Sequence, residues 1–137
     1  MLIEQRKASA QHIIPLRLQA YERAILFIER INPSNMLLRL HVAGLSAAEM
    51  QKLILAEIRT EFQHNVTQQL YISESSWAVL KKIKDDTIIL INGSFAQMNS
   101  DSNAGDFSRT ILNKLASADN VYDAALHLIK KDISELF

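Results

Sequence analysis

The sequence predicts an all-α fold, a single-domain helical bundle of five or six helices, and three observations carry that expectation. The stretch from Leu16 to Ile31 is apolar at helical spacing on two adjoining sides: Leu18, Tyr21, Ile25 and Ile28 on one, Ala20, Ala24, Phe27 and Ile31 on the other. A helix so widely apolar must be packed on several sides. The chain also has only three glycines and two prolines, too few for the turns of a β-rich domain. Finally, no segment alternates convincingly as a strand and no internal repeat is present.

Residues 1–14 read as a polar lead-in, helical in part, ahead of a bundle domain over residues 15–137. Pro15 suits the first turn of a helix, where a missing N–H costs little. That helix ends at Asn32-Pro33, and a short one follows from Pro33 to about Val42, stopped by Ala43-Gly44. Ser46 and Glu49 have the spacing of a capping box, so a third helix should start there and continue to about Tyr71. Ser73 opens the next helix, with Trp77, Leu80, Thr87, Ile88, Ile91 and Phe95 as its core stripe and Gly93 as a point of close packing or fraying. Residues 99–106, Asn-Ser-Asp-Ser-Asn-Ala-Gly-Asp, read as a mobile loop open to cleavage or insertion. A short helix over 107–116 and a last one carrying Tyr122, Ala125, Ile129, Ile133 and Leu136 on one side complete the chain.

Composition excludes several functional classes. Fifteen basic residues balance fifteen acidic ones, so no whole-molecule field favours nucleic acid or an anionic membrane. With no cysteine there is no disulfide framework, thiolate zinc site or cysteine nucleophile. This fits a cytoplasmic, reducing setting. Met1-Leu2-Ile3 runs straight into Glu4, Arg6 and Lys7, which is not the apolar core of a signal peptide. No run approaches the ~20 apolar residues of a membrane-spanning helix.

The third helix carries the main chemical oddity. Its core-facing side begins with Met50, Leu53 and Ile54, but the same side is later occupied by Glu57, Glu61, His64 and Gln68. One reading is a metal site. Glu61-Phe62-Gln63-His64 has the Glu-x-x-His spacing by which helix bundles hold iron or manganese, and Glu57 would add a ligand one turn earlier. The other reading pairs these polar groups with Arg17, Arg23, Arg39 or Arg59. The second is preferred, because a carboxylate-bridged site needs a second Glu-x-x-His and only Asp123 and His127 come near to supplying one. His12, His41, His64 and His127 lie on separate segments without the local pairing that marks histidine ligation. Ser73, Ser75 and Ser76 read as capping and first-turn residues, with no nucleophile elbow or phosphate-cradling glycine loop anywhere. Lys81, Lys82 and Lys84, followed by Asp85 and Asp86, read as a solvated face with offsetting charges. Trp77 and Tyr71 read as core anchors at a helix junction.

The segment Leu16–His41 with its Asn32-Pro33-Ser34-Asn35 hinge, together with the run from Glu61 to Tyr71 (EFQHNVTQQLY), resembles a family of small, uncharacterised helical proteins of Bacteroidota. The resemblance covers roughly residues 15–95. It implies a membrane-anchoring helix ahead of the region seen here, so that Met1-Leu2-Ile3 would follow such an anchor, and it brings no established activity and no catalytic residues.

The functional expectation is therefore a non-catalytic helical interaction or structural module, tethered at the cytoplasmic side of a membrane. Its expected partner is a protein, a second copy in a homodimer formed through the 16–31 helix or the last helix, with no nucleic acid. No cofactor is expected. The alternative is a metal-binding bundle at Glu57, Glu61 and His64 holding iron, manganese or zinc, with enzymatic activity.

Overall fold

The computed structural model describes the backbone of residues 2–137 and the side chains of residues 13–137. Six α-helices follow one another: α1 (Leu2–Ile31), α2 (Pro33–Leu40), α3 (Ala47–Gln63), α4 (Glu74–Phe95), α5 (Ala104–Ser117) and α6 (Val121–Leu136). A single 3-10 turn, Val66–Leu70, joins α3 to α4. Helices α1, α3 and α4 pack against one another; α6 covers α1 and α4, α5 covers α3 and α4, and α2 closes against α1, α3 and α5. The bundle is thus one domain built around a three-helix centre.

Each helix boundary has a local cause. Asn32 caps α2 by accepting from the Ser34 N–H, and Pro33 occupies the position where a missing donor is harmless. At α3 the Ser46 hydroxyl accepts from the Glu49 N–H at 3.1 Å and the Glu49 carboxylate accepts from the Ser46 N–H at 3.3 Å, which is the expected capping box. A second box stands at α5, where Asn103 and Asp106 exchange the same pair of bonds. It starts that helix at Ala104, three residues before the sequence suggested.

The two boxes sit side by side. Ala47 N–H donates to the Ser102 carbonyl and Ala104 N–H to the Leu45 carbonyl, an antiparallel bridge between Ser46 and Asn103. Two positive helix ends are thereby brought together, and Glu49 and Asp106 in their first turns offset that repulsion. The loop read from sequence as 99–106 is in fact short and bonded: Asn99 and Ser102 bond to each other, and the bridge ties the loop's end to the start of α3.

Helix α1 departs most from its expected bounds. It starts at Leu2 rather than Pro15, so the proline lies in its interior. Residues 4–12, rich in Glu, Gln, Arg, Lys and Ala, are strong helix formers and continue the helix on the N-terminal side of the break that proline makes in the bonding ladder. His12 lies outside the described side chains.

The core follows the predicted stripes with adjustments. Ala20, Tyr21, Ala24, Phe27, Ile28 and Ile31 are buried on α1, whereas Ile25 is half-buried and Leu18 exposed. On α3 the buried line is Ala47, Met50, Ile54 and Ile58, and Leu53 faces outward. On α4 it is Ser76, Leu80, Ile83, Thr87, Ile91 and Ser94, with Trp77, Ile88 and Phe95 half-buried beside it. Trp77 stacks on Phe62 with ring centroids 5.3 Å apart, and Phe62 in turn tilts against Phe27. The Thr87 hydroxyl donates to the Ile83 carbonyl and shares a 2.6 Å hydrogen bond with the Tyr122 hydroxyl. Burial is the chief reason the Tyr122 phenol is pushed up to about 12; Asp86 adds to this and the Thr87 bond opposes it.

Gly93 neither frays α4, which continues to Phe95, nor admits a close neighbour. A Cβ there would meet only the Lys114 ammonium, at 3.6 Å. Gly44 differs, because its φ of +87° is left-handed. Chemical denaturation should therefore find Gly93→Ala more stable by about 0.5–1 kcal/mol and Gly44→Ala less stable by about 1 kcal/mol.

Candidate functional site

The polar end of α3 is where sequence and structure meet most directly. The buried line Ala47, Met50, Ile54, Ile58 continues in the same register to Glu61, which is 9% exposed, and then to Asn65, 5% exposed. A carboxylate in a core position needs a partner, and α1 provides it. Arg30 Nε donates to Glu61 Oε1 at 2.6 Å, and Arg30 Nη2 reaches Glu57 Oε1 at 3.5 Å. Arg39, at the end of α2, donates to the same Glu57 oxygen at 3.0 Å and to the Arg30 carbonyl at 3.1 Å. The last link also satisfies a carbonyl at the end of α1. Three helices are joined by two carboxylates and two guanidinium groups.

This network shifts the titration of its members in opposite directions. The Glu61 hydrogen bond holds the Arg30 guanidinium above its usual value, against a smaller opposing effect of burial. Burial is the largest influence on Glu57 and pushes its carboxyl up. The Arg39 hydrogen bond, the neighbouring Glu61 and the charges of Arg39 and Arg30 together outweigh that and hold it below the usual range.

The candidate metal ligands are distributed as follows. Glu57 and Glu61 face Arg30 and Arg39, and His64 is exposed at the end of α3. His41 and His127 are exposed on other segments, and Asp123 and His127 lie on the outer side of α6. Among the described residues no three His, Asp or Glu side chains come together as a metal-binding group. A cleft of about 390 Å3 does open beside the network, between α1 and the end of α3, with Arg23, Arg30, Glu61, His64 and Asn65 in its wall.

A second polar node escaped the sequence reading. Asp132 on α6 accepts hydrogen bonds on a single oxygen from the Tyr21 hydroxyl at 2.9 Å, the Ser76 hydroxyl at 2.5 Å and the Ser73 hydroxyl. The Tyr21 oxygen in turn accepts from the Ser73 N–H at 3.0 Å. Ser73 is thus both the cap of α4, accepting from the Ser76 N–H, and a donor to another helix. Burial raises the Asp132 carboxyl most strongly of any single influence. The Ser73, Ser76 and Tyr21 bonds and the charge of Arg17 outweigh it together and hold the group below its ordinary value. One signal was available in the sequence: Asp132 follows Tyr122, Ala125 and Ile129 in core register. Nothing local showed that its partners would be serines read as caps.

The remaining charge run pairs within α4 and reaches α3 through one lysine. Lys82 pairs with Asp86 one turn on, and Lys84 pairs with Asp85 and sits 4.3 Å over the Phe62 ring.

Residues 1–136 match the model of a family of unknown function (DUF7935), and the chain belongs to that family. No curated protein and no solved structure matches the chain.

Two outcomes follow from the polar nodes. Glu61→Ala should cost about 2 kcal/mol in denaturant unfolding, less than a fully buried pair, because Arg30 is 37% exposed and can rehydrate. A melting curve equal to wild type would show that the pair contributes nothing. For Asp132 the folded pKa is depressed from 3.8, so its stabilisation is present above that value and is lost as pH falls through the folded one. Wild type should unfold at higher denaturant than Asp132→Asn near neutral pH, and the difference should shrink as the medium is acidified below that range.

Proposed function

We propose that this protein is a non-catalytic helical interaction module that forms a homodimer through α1. One observation carries the reading. The two apolar stripes that enter the core at Ala20 and Tyr21 continue toward the N-terminus through Leu16 and Ile13 and through Leu18 and Ile14. There they are 42–48% exposed, in contrast to the fully buried Ala20 and Tyr21. A core-type helix face that outruns its own domain is half of a helix–helix interface. A second copy presents the same face, and a two-fold axis through α1 would cover both at once. Beside this stretch the end of α6 and the residue after it add exposed Leu136 and Phe137, the latter edge-on to Tyr21 at 6.4 Å and against Arg17, so the apolar region is continuous.

Other features agree with an interaction module. Arg30 and Arg39 are engaged with Glu57 and Glu61 rather than presented as a basic face. In this reading the module works at the cytoplasmic face of a membrane, as the resemblance to anchored helical proteins suggests. No helix of the described residues is itself long and apolar enough to cross one.

The test is sedimentation equilibrium at about 100 µM, where a dimer of micromolar affinity is populated. Wild type should be dimeric and Ile14→Glu monomeric, with unchanged thermal unfolding of the monomer's bundle. A monomeric wild type, or an Ile14→Glu protein that remains a dimer, would remove α1 as the interface.

A further inference from the structure

The cleft beside the Arg30–Glu61 pair has the chemistry of a small-molecule site. Its wall carries two guanidinium groups, Arg23 and Arg30, against the single carboxylate of Glu61, so positive charge is in excess there. Glu57 does not cancel that excess, because Arg39 bonds to it. Arg23 is exposed and has no ion pair among the described residues. An anion entering the cleft therefore meets a guanidinium not already committed to an internal carboxylate.

A second, independent observation concerns Asn65. Its amide nitrogen donates to the Glu61 carbonyl at 3.0 Å, which fixes the orientation of the group. Its Oδ1 is consequently buried with no hydrogen-bond partner. An acceptor in that state is costly and is relieved only by a donor. Asn65 borders the same cleft as Arg23, and the exposed Leu26, with Phe27 buried behind it, gives that cleft an apolar side. At about 390 Å3 it is within the range of small-ligand pockets.

We infer that this cleft binds a small monocarboxylic acid that carries a neutral hydroxyl or amide donor next to its carboxylate and a short aliphatic tail. The carboxylate lies against Arg23, with Arg30 and His64 at its edge. The neutral donor lies toward Asn65, whose Oδ1 is buried behind the wall and is reached only as that wall opens, and the tail rests on the exposed Leu26. The binding needs no dimer and stands apart from the role of α1.

The experiment is an amide-resolved NMR titration with 2-hydroxyisocaproate, with isocaproate and inorganic phosphate as comparison probes. 2-Hydroxyisocaproate should shift the amides of Leu26, Phe27, His64 and Asn65 saturably, with a Kd of about 1 mM, as expected for so few contacts. Isocaproate, lacking the hydroxyl, should bind several-fold more weakly. Arg23→Gln, a change at an exposed position that leaves the fold intact, should weaken the hydroxy acid by about tenfold. Absence of saturable shifts, or an Arg23→Gln protein that binds as wild type does, would overturn the site. Phosphate or isocaproate binding as tightly as the hydroxy acid would overturn the assignment of Asn65 as the acceptor that selects the ligand.

Discussion

Three helices meet at one oxygen of Asp132, and the relative placement of α1, α4 and α6 depends on that junction. The carboxylate sits where the first turn of α4 begins, so it meets the positive end of a helix as well as three hydroxyl groups. Apolar packing alone leaves helices free to slide along and rotate about one another, because dispersion and burial are non-directional. Hydrogen bonds from Tyr21, Ser73 and Ser76 to one atom are directional and allow a single register. The carboxylate is equally needed by its donors, since Tyr21 and Ser76 are buried and their hydroxyl protons would otherwise lose their acceptor.

The opposite stretch of α1 is fixed by the same device with the charges reversed. Arg30, nine residues after Tyr21, reaches across to Glu61 and Glu57 on α3, while Arg39 brings in α2. Helix α1 is therefore held at two polar points with Ala24, Phe27 and Ile28 buried between them. Small residues at Ala20 and Ala24 let neighbouring helices approach closely, and the large side chains of Tyr21 and Phe27 fill the space on either side. Toward the N-terminus Arg17 lies against Phe137, and Ile13, Ile14, Leu16 and Leu18 continue the apolar stripes at exposed positions.

Helix termini carry much of the remaining order. The caps of α3 and α5 are built alike and are bridged through their backbones, so the loop after α4 is a structural tie as well as a connection. The centre of the bundle is less economical with its polar groups. Thr87 finds Tyr122, but the Ser94 hydroxyl is buried without a partner, as is Asn65 Oδ1 at the edge of the Glu61 network. Among the described residues these two atoms are where the packing leaves hydrogen-bonding capacity unused, and Asn65 borders the cleft beside Arg23.

The sequence by itself determined the helical class, the order of the elements and most of the buried positions, because a 3.6-residue period and capping residues are local signals. It also marked Glu61 as a charge in core register and named arginine as its partner type. Tertiary structure alone decided which arginine. Arg30 carries no local sign of that role, since its reach depends on how α1 crosses α3. The same holds for Asp132, whose partners lie 111, 59 and 56 residues away in the chain. Pro15 shows the converse: a residue that locally reads as a helix start lies inside α1, because helix formers on both sides of it override one lost hydrogen bond. Register along a helix is written in neighbouring residues, whereas the match between two helices is settled only when their side chains meet.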